Sequence, residues 1–312
     1  MEGYHKPVLL QTIVEMLQAH QAKWLCDVTA GDGGHCEAFL EGMPSPGRVI
    51  AMDQDPQALA RTRQRLDRFG DRLITVRGNF SHFSSLLPHA GRGQVDGILA
   101  DLGVSTLQIS DPAKGFMFSA DGPLSMQMDP DSGLTAAEVV NTYEESQLAD
   151  IIRTYGEERA WRRITGAIVK ARRRNPITTT RQLAEIVLHT VHGPFSIKSC
   201  ARVFQSLRIH VNRELERLEE FLPQAVQEMR PGARLAVLSY HSLEDRCVKN
   251  FMRDQAFPCV CPPRLPHCVC GARPTLKLVG KLIVPSQEEI AANPNARSAR
   301  LRIAEKIQEA EQ

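Results

Sequence analysis

The sequence lacks the features that mark several whole classes of protein. No apolar run approaches the ~18 residues that a membrane-spanning helix needs, and there is no low-complexity tract and no internal repeat. The N-terminal segment has neither a basic region nor a small-residue cleavage site, so we expect a cytoplasmic protein without a signal peptide or a membrane partner. The net charge of +2 is too small to indicate a partner by itself.

Short apolar runs alternate with helical segments through the first hundred residues. This alternation is typical of βαβ units and of a mostly parallel sheet. From about residue 136 to residue 222 the pattern is almost entirely helical, with Val211, Leu215, Leu218 and Leu222 on one apolar stripe. We therefore predict one doubly wound α/β domain with a helical insertion after strand four. The predicted strands lie at 23–28, 48–53, 73–76, 95–101, 233–239 (after a break at Pro231-Gly232), 276–284 and 301–303.

A glycine-rich turn separates the first predicted strand from the helix that follows it. Asp27-Val-Thr-Ala-Gly-Asp-Gly-Gly-His35 occupies the position where an open parallel sheet binds its ligand, and glycines there let a ligand approach the backbone. The following helix N-terminus offers unpaired N–H groups. A tight structural turn explains the same residues equally well, so the turn alone leaves both interpretations open.

Acidic residues end three of the predicted strands. Asp27, Asp53 and Asp101 lie at the carboxyl edge of the sheet, where a carboxylate such as Asp53 can accept hydrogen bonds from both hydroxyls of a ribose. The alternative for Asp53 is a helix cap before Pro56, a role that Asp55 fits better. Three acids disfavour a pyrophosphate and favour a cationic ligand, so they indicate S-adenosylmethionine rather than NAD. Thr29, where the dinucleotide fingerprint has glycine, points the same way.

Two further groups are weaker candidates. Phe80 follows the third strand and would suit stacking on an adenine ring, although a core position is the more common use of phenylalanine. His241 follows the fifth strand and is a candidate for substrate contact; a capping or core histidine is at least as common. We predict that the next helix is capped by a box of Ser242 and Asp245.

Charge changes sign abruptly in the predicted helical insertion. Residues 129–152 contain six acids and no Lys or Arg, whereas residues 153–174 contain eight bases and two acids. A switch of this kind marks either a polyanion-binding face or a solvated helix with ion pairs, and charge alone favours the second.

Four of the eight cysteines lie within twelve residues of one another, in the order Cys259-x-Cys261-x6-Cys268-x-Cys270. A chain of this size without a secretion signal does not need disulfides for stability. Four thiolates suit tetrahedral zinc, but the usual pair spacing is C-x2–4-C. Zinc, reduced thiols and a reversible disulfide all remain open.

Ordered motifs along nearly the whole chain resemble the bacterial RsmH (MraW) family. They are Asp-x-Thr-x-Gly-x-Gly-Gly-His at 27–35, Asp-Leu-Gly-Val-Ser at 101–105, Gly-Phe at 115–116, Asp-Gly-Pro-Leu at 121–124, Met-x-Met-Asp-Pro at 126–130, Tyr-Gly-Glu-Glu-Arg at 155–159, Phe-Gln-x-Leu-Arg-Ile at 204–209, His-Ser-Leu-Glu-Asp-Arg at 241–246 and Asn-Pro-x-Ala-Arg-Ser at 293–298.

The resemblance implies an S-adenosylmethionine-dependent methyltransferase that modifies the exocyclic N4 of a cytidine in the decoding region of 16S rRNA, in the small ribosomal subunit. It implies a Rossmann-like class I methyltransferase domain at 1–106 and 215–312, and an all-helical insertion at 107–214 that recognises rRNA. Carried over by position, the cofactor contacts are Gly33, Gly34, His35, Asp53, Phe80, Asp101 and Gln108.

The resemblance also gives the charged segment a function. Bases of 153–174, together with Lys198, Arg202, Arg208 and Arg213, are expected to follow rRNA phosphates. Asp101 is the candidate catalytic group, because a carboxylate that accepts an N4–H bond would localise the nitrogen lone pair. The alternatives are a methyltransferase for another nucleotide or for DNA, and a ribosome-assembly factor that uses the cofactor as a sensor. The oligomeric state stays open, with a homodimer among the options.

Overall fold

The computed structural model describes residues 7–105, 108–109, 111–262 and 269–307. The chain divides into two compact units: Met1–Gly103 with Leu215–Gln312, and Val104–Glu214. Among the helices of these described residues, none combines the length and the apolar character needed to cross a membrane.

The strands of the first unit are Trp24–Asp27 (β1), Arg48–Asp53 (β2), Leu73–Arg77 (β3), Val95–Asp101 (β4), Met229–Ser239 (β5), Leu276–Leu278 (β6) and Arg300–Lys306 (β7). They form one seven-stranded sheet in the order β3-β2-β1-β4-β5-β7-β6. The first five strands are mutually parallel, and β7 runs antiparallel to β5 and β6. The strand order reverses at β1, which has β2 on one side and β4 on the other. A Rossmann-like sheet has its ligand crevice at this point, outside the carboxyl ends of the strands. The predicted α/β fold is confirmed.

Helices cover both faces of this sheet, which is why its central strands β1, β2 and β4 are buried along most of their length. On β4, Ile98 and Ala100 pack into one core and Leu99 into the other. Phe221 and its neighbours cover the first face, and Phe39 covers the second. The α-helices are Leu10–Met16 (α1), Gly34–Gly42 (α2), Pro56–Leu66 (α3), Phe83–Leu86 (α4), Glu214–Glu228 (α10), Ser242–Ala256 (α11) and Gln287–Ala292 (α12).

The second unit has a helical core of its own. Apolar side chains such as Ile152, Ile164, Leu183 and Leu207 are fully or nearly fully buried in it. Thr179 and Gln182 form a capping box. The helices are Ala136–Thr142 (α5), Glu145–Thr154 (α6), Trp161–Arg172 (α7), Thr180–Thr190 (α8) and Ser196–Asn212 (α9).

Four local predictions were wrong, one of them the strand at 276–284, of which only Leu276–Leu278 forms β6. Pro231-Gly232 does not precede β5 but lies inside it, where the register against β4 shifts. The apolar stripe from Val211 is not one helix, because Arg213 adopts a left-handed conformation (φ 50°) that ends α9. The helix after β5 is capped by His241, one residue before the predicted cap Ser242.

Candidate functional site

The three strand-terminal acids lie on adjacent strands. Asp53, Asp27 and Asp101 are the last residues of β2, β1 and β4, which neighbour each other in the sheet. Because these strands are parallel, their carboxyl ends meet at one edge, as the sequence predicted. The three side chains differ in accessibility, which the sequence did not indicate.

Asp27 is a buried structural group. Its side chain is 1% exposed, and it accepts hydrogen bonds from the Thr29 N–H at 3.1 Å and from the Cys36 thiol at 3.5 Å. Burial raises its pKa to about 6, His35 opposes that rise, and the nearby Asp101 carboxylate adds to it. Asp27 therefore stabilises the glycine-rich turn, and its buried carboxylate adds negative charge to this edge of the sheet.

Asp53 is partly buried and organises the same turn from the next strand. One carboxylate oxygen accepts from the Gly31 N–H and the other from the Asp55 N–H, each at 2.9 Å. A carboxylate has about four acceptor positions, so two remain for ligand hydroxyls. Burial raises the pKa of Asp53 to about 6, against the effect of those two N–H groups. Asp55 caps α3 by accepting from the Gln57 N–H at 2.9 Å, which confirms its predicted capping role.

Asp101 is held in place by a tyrosine that sequence reasoning missed. The Tyr240 hydroxyl donates to Asp101 Oδ1 at 2.9 Å, and the Asp101 side chain stays 23% exposed. Burial, followed by the Asp101 carboxylate, raises the pKa of Tyr240, so the phenol keeps its proton at neutral pH. The available signal was its position directly after β5, the strand next to β4.

His35 has unused hydrogen-bonding capacity. Its ring is 5% exposed and stacks on Phe39, yet within the described residues neither ring nitrogen has a hydrogen-bond partner. Its Nε2 lies 3.6 Å from Asp101 Oδ2. A buried polar group without a partner is costly, so a ligand that bonds this ring would offset that cost.

The glycines of the turn are needed for packing as well as for access. Gly33 has φ +77° at the start of α2, a conformation that side-chain-bearing residues rarely adopt, and a Cβ there would crowd Thr62 and Leu66. A Cβ on Gly34 would clash with Pro7. Close packing of this turn against α3 and the N-terminal segment thus explains both glycines.

The other carried-over residues lie in different surroundings. Phe80 is partly buried and packs edge-on against Phe221 at 5.3 Å between ring centroids, so part of its ring belongs to the core. Gln108 belongs to the second unit, where it is 5% exposed and accepts from the Ser105 N–H at 3.0 Å.

His241 caps α11 and makes no use of Ser242 for that purpose. Its Nδ1 accepts from the Glu244 N–H at 3.4 Å, and the Glu244 carboxylate returns to the N–H of His241. The predicted Ser242–Asp245 box is therefore replaced by a His241–Glu244 box one residue earlier. Asp245 instead binds Arg300 and Arg302.

The second unit contains a basic groove with a volume of about 530 Å³. Its lining combines five cationic side chains with one acid, Glu158, and with the aromatic rings of Trp161 and Phe195. The Arg162 guanidinium lies over the Trp161 ring at 4.6 Å, and Phe195 is 64% exposed. The cations are Arg159, Arg162, Arg163, Lys198 and Arg202.

Other predicted phosphate-binding bases have structural roles within this unit. Arg172 donates to the carbonyls of Val140 and Tyr143, each at 2.7 Å. Arg208 makes a bidentate ion pair with Glu214, both bonds at 2.9 Å. Some of the predicted phosphate-binding bases therefore stabilise the helical unit, whereas others are exposed. Only the tertiary contacts show which base belongs to which group.

Three of the four cysteines that were candidates for zinc binding lie close together in the structure. The sulfurs of Cys259, Cys261 and Cys270 lie within 4.8 Å of one another. Cys268 lies outside the described residues.

The family model and the curated relatives agree with the resemblance. The model of the MraW methylase family matches residues 2–307. The chain is 47% identical to the Ribosomal RNA small subunit methyltransferase H of Carboxydothermus hydrogenoformans, over 98% of this chain and 99% of that protein. It is 48% identical to the protein of the same name from Thermomicrobium roseum, over 97% and 94%. A solved rRNA methylase from Streptococcus thermophilus is 13% identical, with a TM-score of 0.42 and coverage of 98% and 100%.

Proposed function

Because the chain belongs to the MraW methylase family, we propose that it transfers a methyl group from S-adenosylmethionine to the exocyclic N4 of one cytidine in the decoding region of 16S rRNA. Methyl transfer to small-subunit rRNA is the coarser part of this proposal and rests on the family and on relatives of 47% and 48% identity. The finer part of the proposal is that the modified base is a cytidine, that the methyl group goes to N4, and that the cytidine lies in the decoding region. A ribosomal substrate supports a cytoplasmic location.

The acidic edge of the sheet supports binding of a cationic methyl donor, and it is the observation that carries the proposal. Asp53 has acceptor positions for two ribose hydroxyls, and the His35 ring, whose nitrogens have no hydrogen-bond partner among the described residues, provides a further polar contact. Asp27 and Asp101 add negative charge near a sulfonium or an ammonium. Gly33, Gly34 and Phe80 complete the proposed contacts within this unit.

Asp101 is the proposed catalytic residue. When bound, S-adenosylmethionine would supply an electrophilic methyl group, and its sulfonium sulfur would leave as a neutral thioether. The Asp101 carboxylate accepts a hydrogen bond from the N4 amine, which localises the lone pair that cytosine otherwise shares with its ring. The Tyr240 hydroxyl holds this carboxylate in position. The amine proton leaves N4 toward Asp101 or solvent.

The basic groove supports rRNA binding by the helical unit. Five cations attract phosphates, and the exposed Phe195 with the Arg162–Trp161 pair offers planar surfaces on which an unstacked base can lie. A target cytidine must leave any base stack before methylation, so single-stranded or flexible rRNA is the favoured substrate.

An assembly factor that binds rRNA and uses the cofactor as a sensor is the second candidate. Incubating the protein with methyl-labelled S-adenosylmethionine and either naked 16S rRNA or small subunits distinguishes the two. We expect label on one cytosine N4, located by mass spectrometry of nuclease fragments. Binding of both ligands without transfer would instead support the assembly factor, and label on another nucleotide would overturn the cytidine assignment.

A further inference from the structure

The proposed methyl transfer uses none of the three clustered thiols. Cys259, Cys261 and Cys270 belong to the long loop between α11 and β6, and their sulfurs lie within 4.8 Å of one another. The sulfurs of Cys259 and Cys270 are 3.8 Å apart. A disulfide bond is about 2.05 Å long, so these two sulfurs are neighbours without being bonded.

The sulfur spacing matches a metal site. In a tetrahedral zinc site with Zn–S bonds of about 2.3 Å, neighbouring sulfurs lie about 3.8 Å apart. The Cys259–Cys270 separation equals this edge length. In addition, the Val269 N–H donates to Cys261 Sγ at 3.4 Å, the type of outer hydrogen bond that stabilises a metal-bound thiolate.

Apolar burial does not explain why the thiols converge. Val260 and Val269, which lie beside them in sequence, are 85% and 78% exposed. The described residues of this loop contain no helix or strand, although a backbone bond from Thr275 to Gln255 closes its base at 3.0 Å. Long loops of this kind are uncommon, and a metal that links distant positions reduces the entropic cost of ordering one.

We propose that Cys259, Cys261 and Cys270 bind one Zn²⁺ ion as thiolates and thereby order this loop. Each thiol releases its proton on binding the metal. Soft thiolates select zinc over magnesium or calcium, and zinc has no redox chemistry of its own, so it would hold the three thiolates together without an electron-transfer step. Cys268 lies outside the described residues, and the proposed site rests on the other three thiols.

Metal analysis of the full chain, purified without chelator under reducing conditions, tests this proposal. We expect about one zinc ion per chain by mass spectrometry. The double variant Cys259→Ser/Cys270→Ser loses the zinc, while the matched control Cys247→Ser, on α11 outside the cluster, keeps it. Circular dichroism verifies that both variants fold. Replacement by Co²⁺ gives thiolate charge-transfer absorption in the wild type and none in the double variant.

Three results would overturn the zinc proposal. They are a wild-type protein with fully reduced thiols and no zinc, full zinc content in the double variant, and a Cys259–Cys270 disulfide trapped by alkylation in place of metal. None of these measurements depends on methyl transfer, so the zinc proposal and the proposed function fail independently.

Discussion

The two units of this protein present charges of opposite sign to their proposed ligands. The α/β unit places Asp27, Asp53 and Asp101 at one edge of its sheet, whereas the helical unit lines its groove with five cations and one acid. The acids lie at strand ends and accept hydrogen bonds from backbone or side-chain donors. The groove cations are exposed for the most part.

This contrast indicates two modes of binding. Buried and partly buried acids on rigid strands form a preorganised site that salt screens weakly, which suits a small cationic cofactor. Exposed cations around a groove bind a polyanion through released counterions, which makes affinity strongly dependent on salt. One chain can therefore bind a cation at an acidic site and a nucleic acid at a basic site, so that each ligand meets a surface of opposite charge.

The largest expected effect is on cofactor affinity. Asp53→Ala removes the acceptor for two ribose hydroxyls, each bond worth about 1.5–3 kcal/mol, so the dissociation constant should rise at least about 100-fold. Isothermal titration calorimetry with S-adenosylmethionine measures it. Asp71→Ala, which removes an exposed acid before β3, is the control and should bind like wild type. An unchanged constant in the Asp53 variant would remove Asp53 from the site.

The next effect is on turnover. Asp101→Asn should lower kcat about 100-fold because an amide is a weaker acceptor for the N4–H group, and Tyr240→Phe should lower it about tenfold by releasing the carboxylate. Single-turnover assays with small subunits measure both. Undiminished turnover in Asp101→Ala with intact cofactor binding would exclude Asp101 from the mechanism.

The groove is tested by the salt dependence of rRNA binding. Arg162→Gln/Arg163→Gln should weaken binding about tenfold and reduce the log–log salt slope by about 0.7 for each phosphate that the protein no longer neutralises. Arg173→Gln/Arg174→Gln removes equal charge from the same basic segment outside the groove and serves as the control. Equal losses of affinity in both variants, or a flat salt dependence in the wild type, would contradict a specific role for the groove.

The smallest expected effect is the pH dependence of cofactor binding. Burial raises the pKa values of Asp27 and Asp53 to about 6, so both carboxyls gain protons as the pH falls through that value. Loss of negative charge weakens binding of a cation, so the dissociation constant should rise roughly threefold to tenfold between about pH 7.5 and pH 5. An Asp53→Asn variant should show a shallower dependence. A constant that falls on acidification would contradict the charge argument.

Several features of the site could be predicted because they depend on neighbours in sequence. The acids Asp27, Asp53 and Asp101 directly follow apolar runs, and parallel strands bring such ends to one edge whatever the loops do. The capping role of Asp55 was predictable for the same reason, since a cap acts on residues two or three positions away. The cap of α11 was placed one residue late, because Ser is a common cap and His is not.

The remaining features depend on contacts between distant segments. The sequence by itself determined the α/β pattern, the acidic strand ends and the membership of the family. Only the tertiary structure decided that Asp27 is buried while Asp101 stays accessible beside Tyr240 and that Arg172 and Arg208 serve packing. It also decided that residues 158–163 line one groove with Phe195, Lys198 and Arg202. The physical reason is that burial and pairing depend on which residues pack together, whereas strand and helix periods are local.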